Sequence, residues 1–217
     1  MTLQLYGHRF SSYTWKALIP FYEKDLDFTF QMLGPDQPEN NERLSELSPM
    51  GKFPLLVDDE HCLFEASIIV EYLDRVAAEP RMIPTDPACA LRVRMLDRMF
   101  DNYVMNVMQI VVEDAMTPEQ LRRPDRVAKA KANLETIYGW LNTRIGEEWA
   151  IGEIFTLADC AAAPSLFYAD WVHPIAKAYG SLRSYRARLL ARPSVARCVE
   201  DARPYRHLFP LGAPDRD

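Results

Sequence analysis

The sequence has few cysteines and histidines, and neither residue type is grouped. There is no CxxC pair and no metal-ligand spacing among Cys62, Cys89, Cys160, Cys198, His8, His61, His173 and His207. Cysteines scattered in this way usually serve as small, buried apolar side chains. The sequence therefore predicts no metal site.

Long apolar runs and blocks of like charge are also missing. No run approaches the roughly 18 apolar residues that a membrane span needs. The formal net charge is -6, and the basic residues at 122–131 lie beside acidic ones, which argues against a nucleic-acid partner. The first residues lack the basic, apolar and small-residue pattern of a secretory signal. We therefore expect a cytoplasmic protein.

The first part of the chain alternates strand and helix patterns. The composition is that of an ordinary globular protein, with 48% hydrophobic and 26% charged residues among 217. Strands are predicted at 2–6 and 27–32, and one on each side of a turn at 58–61. Helices are predicted at 12–22, at 42–47 and from about 66 to 78. A loop is predicted at 34–41, before the second of these helices. This order of elements fits a compact α/β domain of about eighty residues.

Beyond a proline-rich linker at 79–87, the sequence contains no convincing strand pattern. Amphipathic helices are predicted at 88–116, 125–145, 157–170, 173–179, 181–191 and 194–202. Thr156 and Asp159 have the spacing of a capping box at the start of one of these helices. The second part of the chain is therefore expected to be all-helical.

The segments 51–57 and 64–73 form the most informative part of the sequence. An apolar strand begins at Pro54, and a second short strand ends in Glu65 at the start of a helix. Backbone groups left free by a proline-led strand, next to a helix N-terminus, suit a small peptide ligand with carboxylate ends. The pattern therefore indicates a peptide-like cofactor.

Four motifs together resemble the cytosolic glutathione S-transferase superfamily, in its bacterial, serine-containing and zeta-like or related forms. They are SSYTWK at 11–16, GKFP at 51–54, FEASIIVEYL at 64–73, and Gly152 followed by FTLAD at 155–159. The resemblance implies an α+β two-domain fold. A thioredoxin-like domain with a mixed four-stranded sheet would span 1–78, a linker 79–87, and an all-α domain 88–217.

The resemblance also implies which residues hold glutathione. A cis Phe53–Pro54 bond would free the backbone of Phe53 to pair with the cysteinyl unit like an added strand. Glu65 would face the ammonium group of the γ-glutamyl unit, and the backbone amide of Ala66 would bind the carboxylate of the same unit. The family usually has serine where Ala66 stands, and the missing hydroxyl costs roughly 1 kcal/mol. Lys52 either meets the glycyl carboxylate or is a solvated surface lysine.

The catalytic group implied by the resemblance is Ser11 or Ser12, and we favour Ser11. A hydroxyl that donates to the glutathione sulfur supplies about 1.5–3 kcal/mol, and a helix N-terminus about 0.3–1 kcal/mol, toward a thiolate. Either serine also suits a helix N-cap. Tyr6 is a rival, but it falls within the first strand. The lack of a cysteine here argues against mixed-disulfide chemistry.

The second substrate is expected between the domains, in a pocket lined by Phe10, Tyr13, Tyr103, Asn106, Val107 and Ile110. The implied function is a detoxifying transferase in which the glutathione thiolate attacks an electrophilic, apolar compound. An isomerase, lyase or dehalogenase could use the same site. A weakly catalytic binding or regulatory protein is the alternative of a different class. The resemblance further implies a homodimer that uses the first long helix as its interface.

Overall fold

The first domain is built on a mixed four-stranded sheet. The computed structural model describes residues 2–59 and 61–217. The strands are β1 (Gln4–Gly7), β2 (Thr29–Met32), β3 (Leu55–Val57) and β4 (Cys62–Phe64), in the spatial order β2-β1-β3-β4. β1 pairs in parallel with β2 and antiparallel with β3, and β3 pairs antiparallel with β4. This is the sheet that the resemblance implies.

Three helices complete this domain: α1 (Ser12–Glu23), α2 (Pro38–Leu47) and α3 (Ala66–Val76). The loop predicted at 34–41 is wrong in its second half, because α2 begins at Pro38. Proline is favoured in the first helical turn, where its missing N–H has no intrahelical partner to lose.

The second domain contains only helices among its elements. They are α4 (Pro87–Met99), a π-helical turn (Phe100–Met105), α5 (Asn106–Met116), α6 (Pro124–Asn142), α7 (Leu157–Val172), α8 (Gly180–Ala191), α9 (Pro193–Ala202), and 3-10 turns at Glu119–Leu121 and Arg203–Leu208. Residues 77–86, which connect the domains, form neither helix nor strand. Within the described ranges, none of the helices combines the length and the hydropathy of a membrane span.

The helix predicted at 173–179 is not formed, and these residues make turns instead. His173 ends α7 with extended backbone angles because the next residue is Pro174, and a proline disfavours the helical conformation of the residue before it. The Asp170 carboxylate accepts the Ile175 N–H at 2.8 Å and so holds the chain in this turn.

One hydrophobic core extends through both domains. Its centre is the contact of α1 with α7, where the Trp15 ring lies 4.9 Å from that of Phe167 and 5.5 Å from that of Tyr168, measured between centroids. Because these rings are buried, the two domains are packed as one body.

The predicted capping box at the start of α7 is confirmed. The buried carboxylate of Asp159 accepts the Thr156 N–H at 2.8 Å and its hydroxyl at 3.0 Å. It also accepts the Ala150 N–H at 2.8 Å and the Tyr185 hydroxyl at 2.7 Å. Burial raises the pKa of Asp159, while these four hydrogen bonds oppose the rise. Asp159 therefore holds the start of a buried helix.

Candidate functional site

A cavity of about 320 Å³ lies between the two domains. Its walls bring together all five residues predicted to hold glutathione, Lys52, Phe53, Pro54, Glu65 and Ala66, although they come from two separate segments. The remaining lining residues are Tyr13, Ser48, Pro49, Met50, Phe64, Arg98, Asp101, Asn102 and Asn106. Both domains therefore contribute to one site.

The segment that leads into β3 is held by Ser48. Its hydroxyl accepts the Lys52 N–H and donates to the Lys52 carbonyl, both at 3.1 Å. The Phe53–Pro54 peptide bond is cis, as predicted. Pro54 is buried, while Lys52 and Phe53 are exposed. This arrangement presents Phe53 and the Lys52 side chain on the surface of the cavity.

Glu65 has a strained backbone at the edge of the cavity. It directly precedes α3 with φ 71° and ψ 116°, and its side chain makes no capping hydrogen bond to the helix. A non-glycine residue with positive φ costs on the order of 1–3 kcal/mol, and such residues concentrate at functional sites. The exposed carboxylate of Glu65 is therefore not used by the helix that it precedes.

Ala66 is the first residue of α3 and is buried. The hydroxyl of the next residue, Ser67, does not replace the serine hydroxyl that the family usually has at position 66. Ser67 Oγ accepts a hydrogen bond from the Lys16 ammonium and donates one to the Asp97 carboxylate, both at 2.9 Å. At this end of the cavity, the first turn of α3 therefore offers backbone amides without a serine hydroxyl.

A buried ion cluster lies behind the wall that the helical domain contributes. Lys16 Nζ of α1 lies 2.5 Å from an Asp97 oxygen and 2.6 Å from an Asp101 oxygen. Arg98 contacts the same two carboxylates, at 2.7 Å and 2.5 Å. Burial raises the pKa of Asp101, and Lys16 and Arg98 oppose that rise while Asp97 adds to it. Asp101 and Arg98 thus reach the cavity as paired charges.

The two candidate catalytic serines lie at the start of α1. Ser11 is the N-cap, and its hydroxyl accepts the Thr14 N–H at 3.3 Å. Ser12 is the first residue of the helix. Both serines are half-buried, and neither lines the cavity, whereas the next residue, Tyr13, does.

The residues predicted for a second-substrate pocket are not all brought together. Tyr13 and Asn106 line the cavity, and the Tyr13 hydroxyl donates to Asn106 Oδ1 at 3.0 Å. Tyr103 and Val107 line a separate groove against α6, and Ile110 lines a third near residues 113–126. The Phe10 ring instead packs on Tyr168 and Trp171, with centroids 5.4 and 6.3 Å away.

The residues separate because the boundary between the cavity and the neighbouring groove runs between adjacent rows of this helical segment. The prediction placed Tyr103, Asn106, Val107 and Ile110 near one face. Asn102 and Asn106, four residues apart, line the cavity, while Tyr103 and Val107, each one residue further along the helix, line the neighbouring groove. The segment includes a π turn at Phe100–Met105, but each of these pairs has the four-residue spacing of one helical row.

Several lining residues were missed from the sequence, chiefly Ser48, Arg98, Asp101 and Asn102. One signal was available: Lys16 stands within the apolar run of α1, and a lysine at a buried position needs carboxylate partners. Asp97 and Asp101 are spaced to lie on one helix face and are suitable partners. Among residues 2–59 and 61–217, no group of three or more His, Cys, Asp or Glu side chains is placed to hold a metal ion.

Comparison with known proteins agrees with this architecture. Models of the N-terminal and C-terminal domains of glutathione S-transferases match residues 1–75 and 124–188. A glutathione S-transferase structure from Methylobacillus flagellatus with glutathione bound has a TM-score of 0.79 at 24% identity, and the alignment covers 90% of this chain and 98% of that one. This likeness shows the fold.

Two curated relatives carry different names. A stringent starvation protein A homologue of Coxiella burnetii is 28% identical over 195 residues, which are 88% of each chain. A probable maleylacetoacetate isomerase of Vibrio cholerae is 27% identical over 215 residues, which are 94% of this chain and 98% of the relative. The two family models, one for each domain, together match more than half of the chain, and the chain therefore belongs to the glutathione S-transferase superfamily.

Proposed function

We propose that the chain is a glutathione transferase that binds glutathione in the interdomain cavity and activates its thiol as a thiolate. The observation that carries this proposal is the convergence of Lys52, Phe53, Pro54, Glu65 and Ala66 on one cavity. The resemblance of two sequence motifs to the family selected these residues, which come from two segments on either side of β3 and β4. The relatives named for glutathione transfer support the same assignment.

Each end of glutathione has a complementary group in this cavity. The Glu65 carboxylate would pair with the γ-glutamyl ammonium, and the backbone amides at the start of α3 would bind the γ-glutamyl carboxylate. The Phe53 backbone would pair with the cysteinyl unit as an added strand. Lys52 would meet the glycyl carboxylate. Asp101 and Arg98 line the same cavity and would supply further charges of both signs.

Ser11 is the proposed thiol-activating residue, with Ser12 as the competing choice. Neither serine lines the cavity itself, but both directly precede Tyr13, which does. The Ser11 hydroxyl accepts the Thr14 N–H, so its own proton remains free to be donated to a sulfur. Its position before α1 adds the positive end of that helix. We propose a cytoplasmic location, because the chain has four free cysteines and the glutathione pool keeps thiols reduced there.

The reaction class is proposed as attack of the thiolate on an electrophile without a covalent enzyme intermediate. An isomerase, lyase or dehalogenase reaction at the same site is compatible with this chemistry, and one relative carries an isomerase name. An electrophilic, apolar second substrate is what the resemblance implies. Two of the apolar residues expected to line its pocket, Val107 and Ile110, line other grooves.

A homodimer that uses α3 and α4 is also proposed. Three apolar side chains on these helices are strongly exposed: Ile68 at 48%, Leu91 at 70% and Met95 at 48%. Ile68 is three residues before Glu71 on α3, and Leu91 and Met95 are within three residues of Arg94 on α4. Glu71 and Arg94 form an ion pair that joins the two helices. Exposed apolar clusters of this kind typically become buried in interfaces. Sedimentation velocity should show a dimer that Leu91→Glu dissociates, and a monomeric wild-type protein would contradict this part of the proposal.

A regulatory or binding protein with little catalysis is the second candidate. It is favoured by Ala66, which removes a ligand hydroxyl, and by the similarity to a stringent starvation protein A homologue. The two candidates differ in a simple measurement, because only a transferase needs to bind glutathione at cellular concentrations and lower the pKa of its thiol.

The test combines calorimetric titration with glutathione and ultraviolet titration of the bound thiolate. We expect saturable binding and a thiol pKa lower than that of free glutathione. Ser11→Gly should raise the pKa of the bound thiol again, and glycine keeps the N-cap to within a few tenths of a kcal/mol. Ser12→Ala is the matched comparison. Failure to bind glutathione would sink the transferase proposal, and an effect of Ser12→Ala alone would move the role to Ser12.

A further inference from the structure

The loop of residues 8–10 joins β1 to Ser11, the proposed thiol-activating residue. Two of its hydrogen bonds are local: His8 Nδ1 accepts the Phe10 N–H at 3.1 Å, and the His8 carbonyl accepts the Ser11 N–H at 2.9 Å. The loop belongs to neither a helix nor a strand, so its position depends on what packs against it. The contacts that hold this loop from outside therefore decide where Ser11 lies.

Tyr168 of α7 holds the loop from the helical domain. Its hydroxyl donates to the Phe10 carbonyl at 2.8 Å, and its ring packs edge-on against the Phe10 ring, with centroids 5.4 Å apart. Trp15 donates its indole N–H to the Arg9 carbonyl at 2.6 Å. Tyr168 and Trp15 are both buried. The two carbonyls that directly precede Ser11 are thus fixed by buried side chains.

The hydroxyl of Tyr168 is a polar group within an aromatic cluster. The centroid of its ring lies between 5.0 and 6.4 Å from those of Trp15, Phe167, Trp171 and Phe209. Burial raises the pKa of Tyr168 well above its usual value, so the hydroxyl keeps its proton at neutral pH and remains a donor. Phenylalanine would fill the same space in this cluster. The contribution specific to tyrosine is therefore the hydrogen bond to the loop.

A second contact with the helical domain holds the Arg9 side chain. Its guanidinium pairs with Asp201 on α9 and lies 4.4 Å from the centre of the Phe30 ring on β2. The His8 ring lies beside that of Tyr205 in the 3-10 turn after α9, with centroids 4.9 Å apart. Each residue of the loop therefore contacts the helical domain.

We propose that Tyr168 is a positioning residue, whose hydroxyl fixes the placement of Ser11 through the Phe10 carbonyl. This inference rests on the proposed function, because it needs Ser11 to donate to the thiolate of bound glutathione. Tyr168 does not line the cavity, so it acts through Ser11 and not by touching glutathione. Ser11 lies outside the cavity wall, two residues before Tyr13, and a misplacement of about 1 Å can cost roughly 100-fold in rate.

The test measures the pKa of the bound glutathione thiol by ultraviolet titration of the thiolate. Tyr168→Phe should raise this pKa by about one pH unit toward that of free glutathione, because part of a hydrogen bond to a charged group is lost. The thiolate fraction should then fall roughly tenfold at pH values below both pKa values and be unchanged at alkaline pH. The calorimetric Kd of S-methylglutathione, which cannot form a thiolate, should change by less than roughly twofold, because Tyr168 contacts none of the residues proposed to bind the peptide.

Tyr138→Phe is the matched control, because that buried hydroxyl also donates to a backbone carbonyl, that of His173, at 3.1 Å. It should lower the thermal stability as Tyr168→Phe does and leave the thiol pKa unchanged. Asp201→Asn weakens the second contact at a partly exposed ion pair, so it loosens the loop without disturbing the core. It should raise the thiol pKa by a smaller amount, whereas Glu200→Gln, which loses only its pair with Arg203, should not raise it.

A double variant shows whether Tyr168 acts through Ser11. The thiol pKa is already raised in Ser11→Gly, so adding Tyr168→Phe should raise it no further. Additive effects, a wild-type pKa in Tyr168→Phe, or an equal rise in Tyr138→Phe would each overturn the inference. If Tyr168→Phe does not fold, a wild-type pKa in Asp201→Asn overturns it. A wild-type protein that does not bind glutathione, or does not lower the pKa of its thiol, would instead overturn the proposed function.

Discussion

Lys16 Nζ lies 2.6 Å from an Asp101 carboxylate oxygen, and this contact crosses the boundary between the two domains. Lys16 belongs to α1 of the sheet domain, and Asp101 to the π-helical turn of the helical domain. The lysine side chain is only 1% exposed. Asp101 also lines the cavity. The ion cluster that joins the domains is therefore part of the wall of the candidate site.

The first prediction concerns the stability that this cluster provides. Lys16→Met keeps the apolar stem but leaves Asp97 and Asp101 buried side by side with Arg98 as their remaining partner. Removing one member of a buried ion cluster costs about 3–5 kcal/mol, because an uncompensated charge remains. Urea denaturation should show this loss. Lys129→Met, at an exposed position of α6, should change the free energy of unfolding by less than about 0.5 kcal/mol.

A double variant separates charge from packing. Lys16→Met combined with Asp101→Asn removes one buried charge of each sign, and it should recover part of the stability lost in Lys16→Met alone. Equal stabilities of wild type and Lys16→Met would show that the cluster does not hold the domains together.

The second prediction is a gain of affinity. Ala66→Ser restores a hydroxyl at the first position of α3, beside the amides proposed to bind the γ-glutamyl carboxylate. One added hydrogen bond is worth roughly 1 kcal/mol, so glutathione Kd should fall by roughly fivefold in calorimetric titrations. Ala88→Ser, in the first turn of α4 and away from the cavity, is the matched control. An unchanged Kd in Ala66→Ser would place the carboxylate elsewhere.

Much of this site was predictable because it consists of local motifs. GKFP and FEAS are short segments that resemble the family's motifs, and the resemblance implies that Lys52, Phe53, Pro54, Glu65 and Ala66 hold glutathione, so five of the residues that line the cavity could be identified from the sequence. The capping box at Thr156 and Asp159 was predictable for the same reason.

The contribution of the helical domain could not be predicted in this way. It depends on how the helical domain packs against α1 and α6, because that packing decides which face of the segment lines the cavity. Helical periodicity groups Tyr103, Val107 and Ile110 on one face, but it does not show that the neighbouring face, with Asp101 and Asn102, is the one that lines the cavity. Likewise, the sequence pattern predicts α2 too short, because it places Pro38 in a loop, whereas Pro38 is the first residue of the helix.

The third prediction concerns acid stability. The Glu23 carboxylate at the end of α1 accepts two hydrogen bonds from Arg192, at 2.7 and 2.6 Å, and one from Ser194. Burial raises the pKa of Glu23, but these hydrogen bonds outweigh that effect and hold the pKa below its usual value. A carboxyl whose pKa is lowered by folding stabilises the protein above its unfolded pKa, near about 4.3, and loses that contribution as the pH falls through its folded pKa.

Urea denaturation at a series of pH values between about 6 and about 3 tests this link. The wild-type free energy of unfolding should fall more steeply over this range than that of Glu23→Gln, which cannot titrate. Glu153→Gln, at an exposed position in the segment before α7, should follow the wild-type curve. Parallel curves for wild type and Glu23→Gln would contradict the assignment of acid sensitivity to this contact.

The last prediction separates backbone strain from ligand binding at Glu65. Glu65→Gly removes the carboxylate. It also removes the free-energy cost that a non-glycine residue has at a φ of 71°, which is on the order of 1–3 kcal/mol. Glycine makes the unfolded chain more flexible, at a cost of about 0.4–1 kcal/mol, so the variant should be as stable as the wild type or up to about 2.6 kcal/mol more stable. Its glutathione affinity should nevertheless fall by roughly 10- to 100-fold, because the charge-assisted hydrogen bond proposed for the γ-glutamyl ammonium is lost. Glu65→Gln keeps the strained backbone and should weaken binding without any gain in thermal stability. A Glu65→Gly protein that unfolds more easily than the wild type would show that the positive φ carries no strain here.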